Sequence, residues 1–297
     1  MRINIGEVVT AMVTPFNNNL EVDYEAVERL ANHLADNGSD AILIAGTTGE
    51  SPTLTHDEEF EILKVVKKSV GNRVKLMMGA GSNCTKTAVE MTKRAEEAGA
   101  DAVLSVAPYY NKPSQKGMVE HFSQVAKATE LPVVLYNIPG RTGVNISAET
   151  MAELAEKHQN IVAVKQSNPD LDLVTEIAIK TPDDFVIYSG DDSLTLPMLS
   201  LGAYGVVSVA AHLIGNEIKE MITAFKDGNI QEATRLQHEL YPFFKVMFIA
   251  PNPTPLKASL QEKGLLKEFV RPPLVTLSAD EKAKLKSVID TYTKVIN

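Results

Sequence analysis

One lysine carries the most informative chemistry in the sequence, because it ends an apolar run. Lys165 directly follows the apolar residues 161–164, and this pattern predicts a buried strand. An amine at the end of such a strand is poorly solvated, which favours its neutral, nucleophilic form. The position predicts Schiff-base formation with a carbonyl substrate. A structural ion pair, for example with Asp191, accounts for a lysine at this place equally well.

Hydroxyl groups occur at the ends of other apolar runs. Tyr136 ends the run before that of Lys165, and Thr47 and Tyr110 follow two earlier runs. A hydroxyl both donates and accepts hydrogen bonds, so these three residues form a candidate proton relay for imine formation. Each tyrosine taken singly is explained as a packing residue. Their coincidence at strand ends favours the relay.

Two further segments are candidate anion-binding sites. Thr48 and Gly49 offer a hydroxyl and a backbone N–H to a carboxylate, although a tight turn alone explains the same residues. Arg141 follows Pro139 and Gly140, and its planar guanidinium suits bidentate binding of a second carboxylate. A solvated surface arginine is the alternative. If both sites bind anions, the substrates are acidic.

The elements that must position these side chains are predicted from eight short apolar runs separated by helical patterns. Their near-continuous apolarity is typical of parallel strands covered on both faces. The predicted strands are 8–13, 41–45, 75–78, 102–107, 132–137, 161–166, 185–189 and 205–210. Between them, Asp23 is a predicted N-cap, and Thr55 with Glu58 forms a predicted capping box.

Eight strand-helix units of this length predict an α/β fold, a (β/α)₈ TIM barrel. A doubly wound sheet is the competing fold, but it usually has a glycine-rich turn after its first strand, where this chain has Thr14 and Pro15. Residues beyond Gly228 carry only helical patterns. The sequence therefore predicts a catalytic barrel over residues 1–228 and a C-terminal helical domain over 229–297.

Composition excludes several classes of protein. The 297 residues carry 29 Lys and Arg against 38 Asp and Glu, a formal net charge of −9, which disfavours binding to nucleic acid or an anionic membrane. The single cysteine, Cys84, cannot form an internal disulfide, and no apolar run is long enough to span a membrane. We expect a cytoplasmic protein.

The sequence also lacks the motifs of metal and nucleotide sites. The six histidines show no metal-ligand spacing, and no nucleotide-binding fingerprint is present. We therefore expect no metal and no cofactor.

Together these motifs resemble one known family over nearly the whole chain. The motifs that carry the resemblance are Gly46-Thr47-Thr48-Gly49-Glu50-Ser51, Pro108-Tyr109-Tyr110-Asn111-Lys112, Tyr136-Asn137-Ile138-Pro139-Gly140-Arg141-Thr142-Gly143, Lys165, Ser189-Gly190-Asp191-Asp192 and Asn252-Pro253-Thr254-Pro255. The chain is similar to the dihydrodipicolinate synthase family of pyruvate-dependent, Schiff-base-forming enzymes. No single motif is specific, but their order and spacing are.

The resemblance implies a condensation of pyruvate with L-aspartate 4-semialdehyde. It implies that Lys165 carries pyruvate as an imine and that Tyr136 transfers protons, with Thr47 and Tyr110 completing the relay. The second tyrosine would reach in from a neighbouring subunit of a homotetramer built from tight dimers. Substrate-binding positions implied by the resemblance are Thr48 and the backbone of Val207 for pyruvate, Arg141 for the carboxylate of the semialdehyde, and Gly190 with Asp191 for its other end.

Two other functions remain open from the sequence. Related barrels cleave N-acetylneuraminate or keto-deoxy sugar acids through the same lysine and tyrosine, and a barrel that binds a keto acid without turnover is also possible. The pair Thr47 and Thr48 together with Arg141 favours the synthase. The chain departs from the family at Gln166, where relatives often have an acid, and alternation along a strand predicts that this side chain points away from the cavity.

The resemblance also extends to the feedback site for lysine. Asn83 and His56 match some relatives there, whereas Pro52 and Thr87 depart from those that respond to lysine. The sequence therefore predicts weak or absent lysine inhibition.

Overall fold

Eight parallel strands form a closed barrel in the computed structural model, which describes residues 5–296. Each strand pairs with the next along the chain, and β8 pairs with β1 to close the ring. The predicted (β/α)₈ barrel is thus confirmed. The strands are β1 Val8–Ala11, β2 Ala41–Ile44, β3 Lys75–Gly79, β4 Ala102–Val106, β5 Val133–Asn137, β6 Ile161–Gln166, β7 Val186–Ser189 and β8 Gly205–Ser208.

Several strands are shorter than their apolar runs predict. The first run was expected to reach Val13 and the last to reach Ala210, but β1 ends at Ala11 and β8 at Ser208. Val13 and Ala210 are nevertheless fully buried, and both belong to the apolar region between the strands and the helices. Burial therefore continues beyond the hydrogen-bonded ladder, and an apolar run overestimates the length of a strand.

Helices alternate with the strands and cover the barrel. Asp23 caps α1 by accepting a hydrogen bond from the Ala26 amide at 3.0 Å, and Thr55 with Glu58 forms the predicted capping box of α2. The helices up to the end of β8 are α1 Tyr24–Asp36, α2 His56–Val70, α3 Thr85–Glu97, α4 Gln115–Ala126, α5 Pro139–Thr142, α6 Ala148–Lys157, α7 Leu171–Lys180 and α8 Thr195–Leu199.

Alternation along the strands separates two apolar regions. One lies inside the barrel and contains Leu43, Met77, Tyr136, Tyr188 and Val207. The other lies between the barrel and its helices and includes the opposite faces of the same strands. Residues of one strand thus face alternately inward and outward.

After β8 the chain is helical, with α9 Ala211–Lys226, α10 Ile230–Val246, α11 Thr254–Glu262 and α12 Ala279–Ile296. Leu240 and Phe243 of α10 and Leu256 of α11 belong to the same apolar region that lies outside the barrel strands. The tail therefore packs on the barrel through a continuous core. Within the described residues, no helix combines the length and the apolar character that crossing a bilayer requires.

Candidate active site

Lys165 and Tyr136 lie side by side at the carboxyl end of the barrel. They are register partners on the neighbouring strands β6 and β5, and Tyr136 belongs to the interior apolar cluster. The Lys165 Nζ lies 4.3 Å from the centroid of the Tyr136 ring, and only 6% of Lys165 is exposed. The structure thus brings a buried amine into contact with a buried phenol.

Two opposing effects act on the phenol of Tyr136. Burial raises its pKa, but the positive charge of Lys165 and the capacity of Thr47, Ser167 and Lys165 to donate hydrogen bonds to the ionised phenol outweigh burial. The net result is a pKa below the ordinary value for tyrosine. A phenol that ionises more readily is suited to proton transfer near the amine.

The alternative ion pair between Lys165 and Asp191 does not form in the described part of the chain. Asp191 instead accepts hydrogen bonds from the amide and the hydroxyl of Ser193, at 2.9 and 2.8 Å. Its carboxylate therefore stabilises the turn after β7, next to Gly190.

The loop after β2 carries the two candidate threonines. Thr47 lies close enough to the Tyr136 phenol to lower the pKa of that phenol by hydrogen bonding to its ionised form. The Thr48 Oγ1 accepts a hydrogen bond from the Asn252 side-chain amide at 2.9 Å. Because the oxygen accepts this bond, the hydroxyl proton of Thr48 remains available for donation to another acceptor.

A buried ion pair holds the end of this loop against the C-terminal helices. The Lys257 Nζ lies 2.5 Å from the Glu50 Oε1, and both side chains are at most 1% exposed. The other Glu50 oxygen accepts from the Arg271 amide at 3.0 Å, and Lys257 also donates to the Phe269 carbonyl at 2.8 Å. Burial lowers the pKa of Lys257 to about 8, although Glu50 opposes this shift. Residues from the tail thus fix the segment next to Thr48.

A cavity of about 470 Å³ opens beside these groups. Thr47, Tyr136 and Arg141 line one part of it. Arg141 lies in the short helix α5 and is exposed, and its guanidinium has no ion pair within residues 5–296. An exposed cation at the rim of a cavity is suited to binding an anionic group.

The loops after β7 and β8 are joined by a second buried carboxylate. Asp192 accepts hydrogen bonds from the Ser208 hydroxyl and from the amides of Val209 and Ala210, the latter two at 3.1 and 3.0 Å. Burial raises the pKa of Asp192 to about 6. Val207, one residue before Ser208, is 1% exposed and faces the barrel interior. Asp192 thereby holds the backbone that follows Val207.

Two candidate residues lie away from the amine. Tyr110 is 89% exposed, with a positive φ of 70°, and does not approach Lys165 within the single chain. Gln166 lies on the opposite face of β6 from Lys165, where its Oε1 accepts from the Asn137 side-chain amide at 2.9 Å. Gln166 therefore points away from the cavity, as alternation predicts.

Four residues support the site without a role predicted for them from the sequence: Glu50, Asp192, Asn252 and Lys257. Glu50, Asp192 and Asn252 belong to the motifs that carry the resemblance, but nothing local indicated their contacts with Lys257, Ser208 and Thr48. Among residues 5–296, no three acidic, histidine or cysteine side chains come together as candidate metal ligands.

The chain is similar to known proteins over nearly its whole length. Residues 4–292 match the model of the dihydrodipicolinate synthetase family. A protein of Halalkalibacterium halodurans named 4-hydroxy-tetrahydrodipicolinate synthase 1 is 50% identical over 288 residues, which are 97% of each chain. The dihydrodipicolinate synthase structure from Bacillus anthracis has a TM-score of 0.94 at 49% identity, covering 97% of this chain and 99% of the other. That of Cyanidioschyzon merolae, described with lysine bound, has a TM-score of 0.95 at 48% identity, covering 97% and 98%.

Proposed function

The chain belongs to the dihydrodipicolinate synthetase family, and on this premise we propose how its residues perform the reaction. The reaction is the condensation of pyruvate with L-aspartate 4-semialdehyde to 4-hydroxy-tetrahydrodipicolinate, in lysine and diaminopimelate biosynthesis. The observation that carries the proposal is the buried Lys165 amine, 4.3 Å from the ring centroid of Tyr136. Lys165 is the nucleophile, and Tyr136 moves the protons.

The reaction begins with attack of the Lys165 nitrogen on the keto carbon of pyruvate. The resulting carbinolamine loses water when Tyr136 gives a proton to its hydroxyl, which leaves an imine cation and a phenolate. The phenolate then removes a proton from the methyl carbon, which yields a neutral enamine. The enamine carbon attacks the aldehyde carbon of the second substrate, and Tyr136 gives its proton to the resulting alkoxide, which becomes the hydroxyl of the product. The amino group of that substrate then displaces the neutral Lys165 amine and closes the ring, and the proton of the ring nitrogen returns to Tyr136.

Binding of the two acidic substrates follows from the groups around the amine. The Thr48 hydroxyl and the backbone at Val207 hold the pyruvate carboxylate beside Lys165. Arg141 binds the carboxylate of the semialdehyde at the rim of the cavity, and Gly190 with Asp191 contacts its other end. Fixing both partners in this way supplies part of the rate enhancement.

The relay is completed by Tyr110 from a second copy of the chain. This assignment is supported by an exposed fraction of 89% and a backbone with φ of 70°, a conformation that is uncommon for residues other than glycine. A large side chain held outward in this way is suited to reach into another protomer.

We infer a homotetramer built from tight dimers. Sedimentation velocity tests the assembly, and a protein that is monomeric at the assay concentration would contradict it.

The chemistry needs no metal and no cofactor, since the cationic imine nitrogen formed on Lys165 is the electron sink. We place the protein in the cytoplasm, in agreement with the exposed free thiol of Cys84, which is typical of a reducing compartment.

Borohydride reduction in the presence of pyruvate tests the proposal. We expect mass spectrometry to find a pyruvate-derived adduct on Lys165, and Lys257→Arg, which alters another buried lysine, to keep that adduct. An adduct on any other residue would exclude Lys165 as the nucleophile.

Assays with aspartate semialdehyde and with N-acetylneuraminate separate the synthase from a sugar-acid lyase. Absence of turnover with both substrates would indicate a barrel that binds a keto acid without turnover.

A further inference from the structure

Ser167 is a buried hydroxyl beside the candidate site to which no role has been given. It lies two residues beyond Lys165, and its amide donates a hydrogen bond to the Asn137 carbonyl at 2.9 Å. Its Oγ is buried and has no partner of normal hydrogen-bond geometry within residues 5–296. Buried polar atoms are nearly always satisfied, so an unsatisfied one next to reactive groups calls for a functional explanation.

Gly190 shows how closely this hydroxyl approaches the amine. A Cβ added at Gly190 would lie 1.8 Å from the Ser167 Oγ and 3.1 Å from the Lys165 Cε. The hydroxyl and the end of the lysine side chain therefore converge on the same point. Only a residue without a side chain at position 190 leaves this space to them.

The same hydroxyl lies close to the phenol of Tyr136. Ser167 is one of the potential donors that lower the Tyr136 pKa by favouring the ionised phenol, together with Thr47 and Lys165. Since the Lys165 Nζ lies 4.3 Å from the centroid of the Tyr136 ring, the three side chains form one cluster. Ser167 approaches the phenol from β6, whereas Thr47 approaches from the loop after β2.

We propose that Ser167 is a positioning residue for proton transfer: its hydroxyl donates a hydrogen bond to the Tyr136 oxygen whenever that oxygen is ionised, and holds it beside Lys165. This inference rests on the proposed function. In that reaction Tyr136 becomes a phenolate when the carbinolamine loses water, and it is a phenol again after taking the methyl proton. The unsatisfied state of Ser167 belongs to the resting enzyme, and its partner is the phenolate that forms during turnover.

Ser167→Ala tests the proposal through the pH profile of kcat/KM for pyruvate. Loss of a donor to a charged group destabilises the phenolate, so the limb that reports ionisation of Tyr136 moves to higher pH by about one pK unit. At neutral pH we expect kcat to fall about tenfold. The KM for pyruvate stays within about twofold of the wild-type value, because Ser167 does not hold the carboxylate. Ser167→Cys, of similar volume but a weak donor, shows the same displacement, and Ser167→Thr restores the wild-type profile.

Ser105→Ala is the matched control. Within residues 5–296, Ser105 is also a buried serine whose hydroxyl has no hydrogen-bond partner. It alternates with the interior residue Leu104 and so faces the helices outside the barrel. The melting temperatures of the two alanine variants measure how much stability each loses through altered packing. We expect only Ser167→Ala to move the pH profile.

The outcomes separate this inference from the proposed function. If borohydride traps pyruvate on Lys165 and the pH profiles of Ser167→Ala and Ser167→Cys coincide with that of the wild type, Ser167 has no positioning role and the function stands. If the wild-type enzyme gives no adduct on Lys165, the proposed function itself fails.

Discussion

At the scale of single residues, the site depends on how a buried amine and a buried phenol affect each other. Lys165 supplies the positive charge that favours ionisation of Tyr136. The phenol ring lies beside the Lys165 nitrogen, on which an imine would form. Burial alone would act in the opposite direction on the phenol. The pair is therefore more suited to proton transfer than either residue would be by itself.

Removal of one hydroxyl tests this relationship. We expect Tyr136→Phe to reduce kcat at least about a hundredfold, the range for loss of a general acid or base, with the melting temperature little changed. Tyr188→Phe is the matched control, because Tyr188 is also a register partner of Lys165 but donates its hydroxyl to the Gly6 carbonyl at 2.9 Å. Steady-state rates near the wild-type value in Tyr136→Phe would remove the phenol from the mechanism.

At the scale of elements, the turn after β7 limits the space around the lysine. A Cβ at Gly190 would overlap the Ser167 Oγ, at 1.8 Å, and crowd the Lys165 Cε, at 3.1 Å, so a side chain there displaces Ser167 and presses on Lys165. The strand thus presents the amine, and the neighbouring turn sets the direction in which it points.

Gly190→Ala should displace both side chains. We expect the rate of borohydride-trapped imine formation to fall by an order of magnitude or more, because a misplaced nucleophile loses much of the benefit of orientation. In Gly140→Ala the new Cβ meets nothing within 4 Å, so this variant controls for loss of a loop glycine. Equal trapping rates in the two variants would show that position 190 tolerates a side chain.

The cavity extends from the site to the beginning of α2 and to α3, where Pro52, His56, Glu59 and Thr87 line it. Glu59 is buried and lies 3.0 Å from the His56 Nδ1, so its carboxylate already has a partner. Because Thr87 supplies no carboxylate for an ammonium group, we expect lysine to inhibit weakly or not at all. Rates measured over a lysine titration check this, and half-inhibition at low lysine concentration would contradict it.

At the scale of the whole molecule, the C-terminal helices hold the loop after β2 in place. Asn252 and Lys257 contact Thr48 and Glu50, which lie about two hundred positions earlier in the chain. The division into a barrel and a separate helical domain stays a prediction, since one continuous apolar region joins the two parts.

Lys257→Met leaves the Glu50 carboxylate buried without its cation. We expect a loss of about 3–5 kcal/mol in the free energy of unfolding and a higher KM for pyruvate, because the loop carrying Thr48 is released. Adding Glu50→Gln to this variant should recover much of the stability. Lys282→Met, which removes a more exposed pair with Glu268, should cost about 1 kcal/mol or less. Denaturant unfolding measures all three variants, and equal losses for Lys257→Met and Lys282→Met would contradict the role of the buried pair.

The sequence by itself determined the barrel, the helix caps and the position of Lys165 at a strand end. These features depend on local patterns: runs of apolar residues, capping spacings and the alternation that also directs Gln166 outward. Only the tertiary structure decided the contact of Asn252 with Thr48, the pairing of Lys257 with Glu50 and the burial of Ser167 against Gly190. Such contacts join residues distant in the chain, and their energies depend on packing and desolvation, which leave no periodic signal in the sequence.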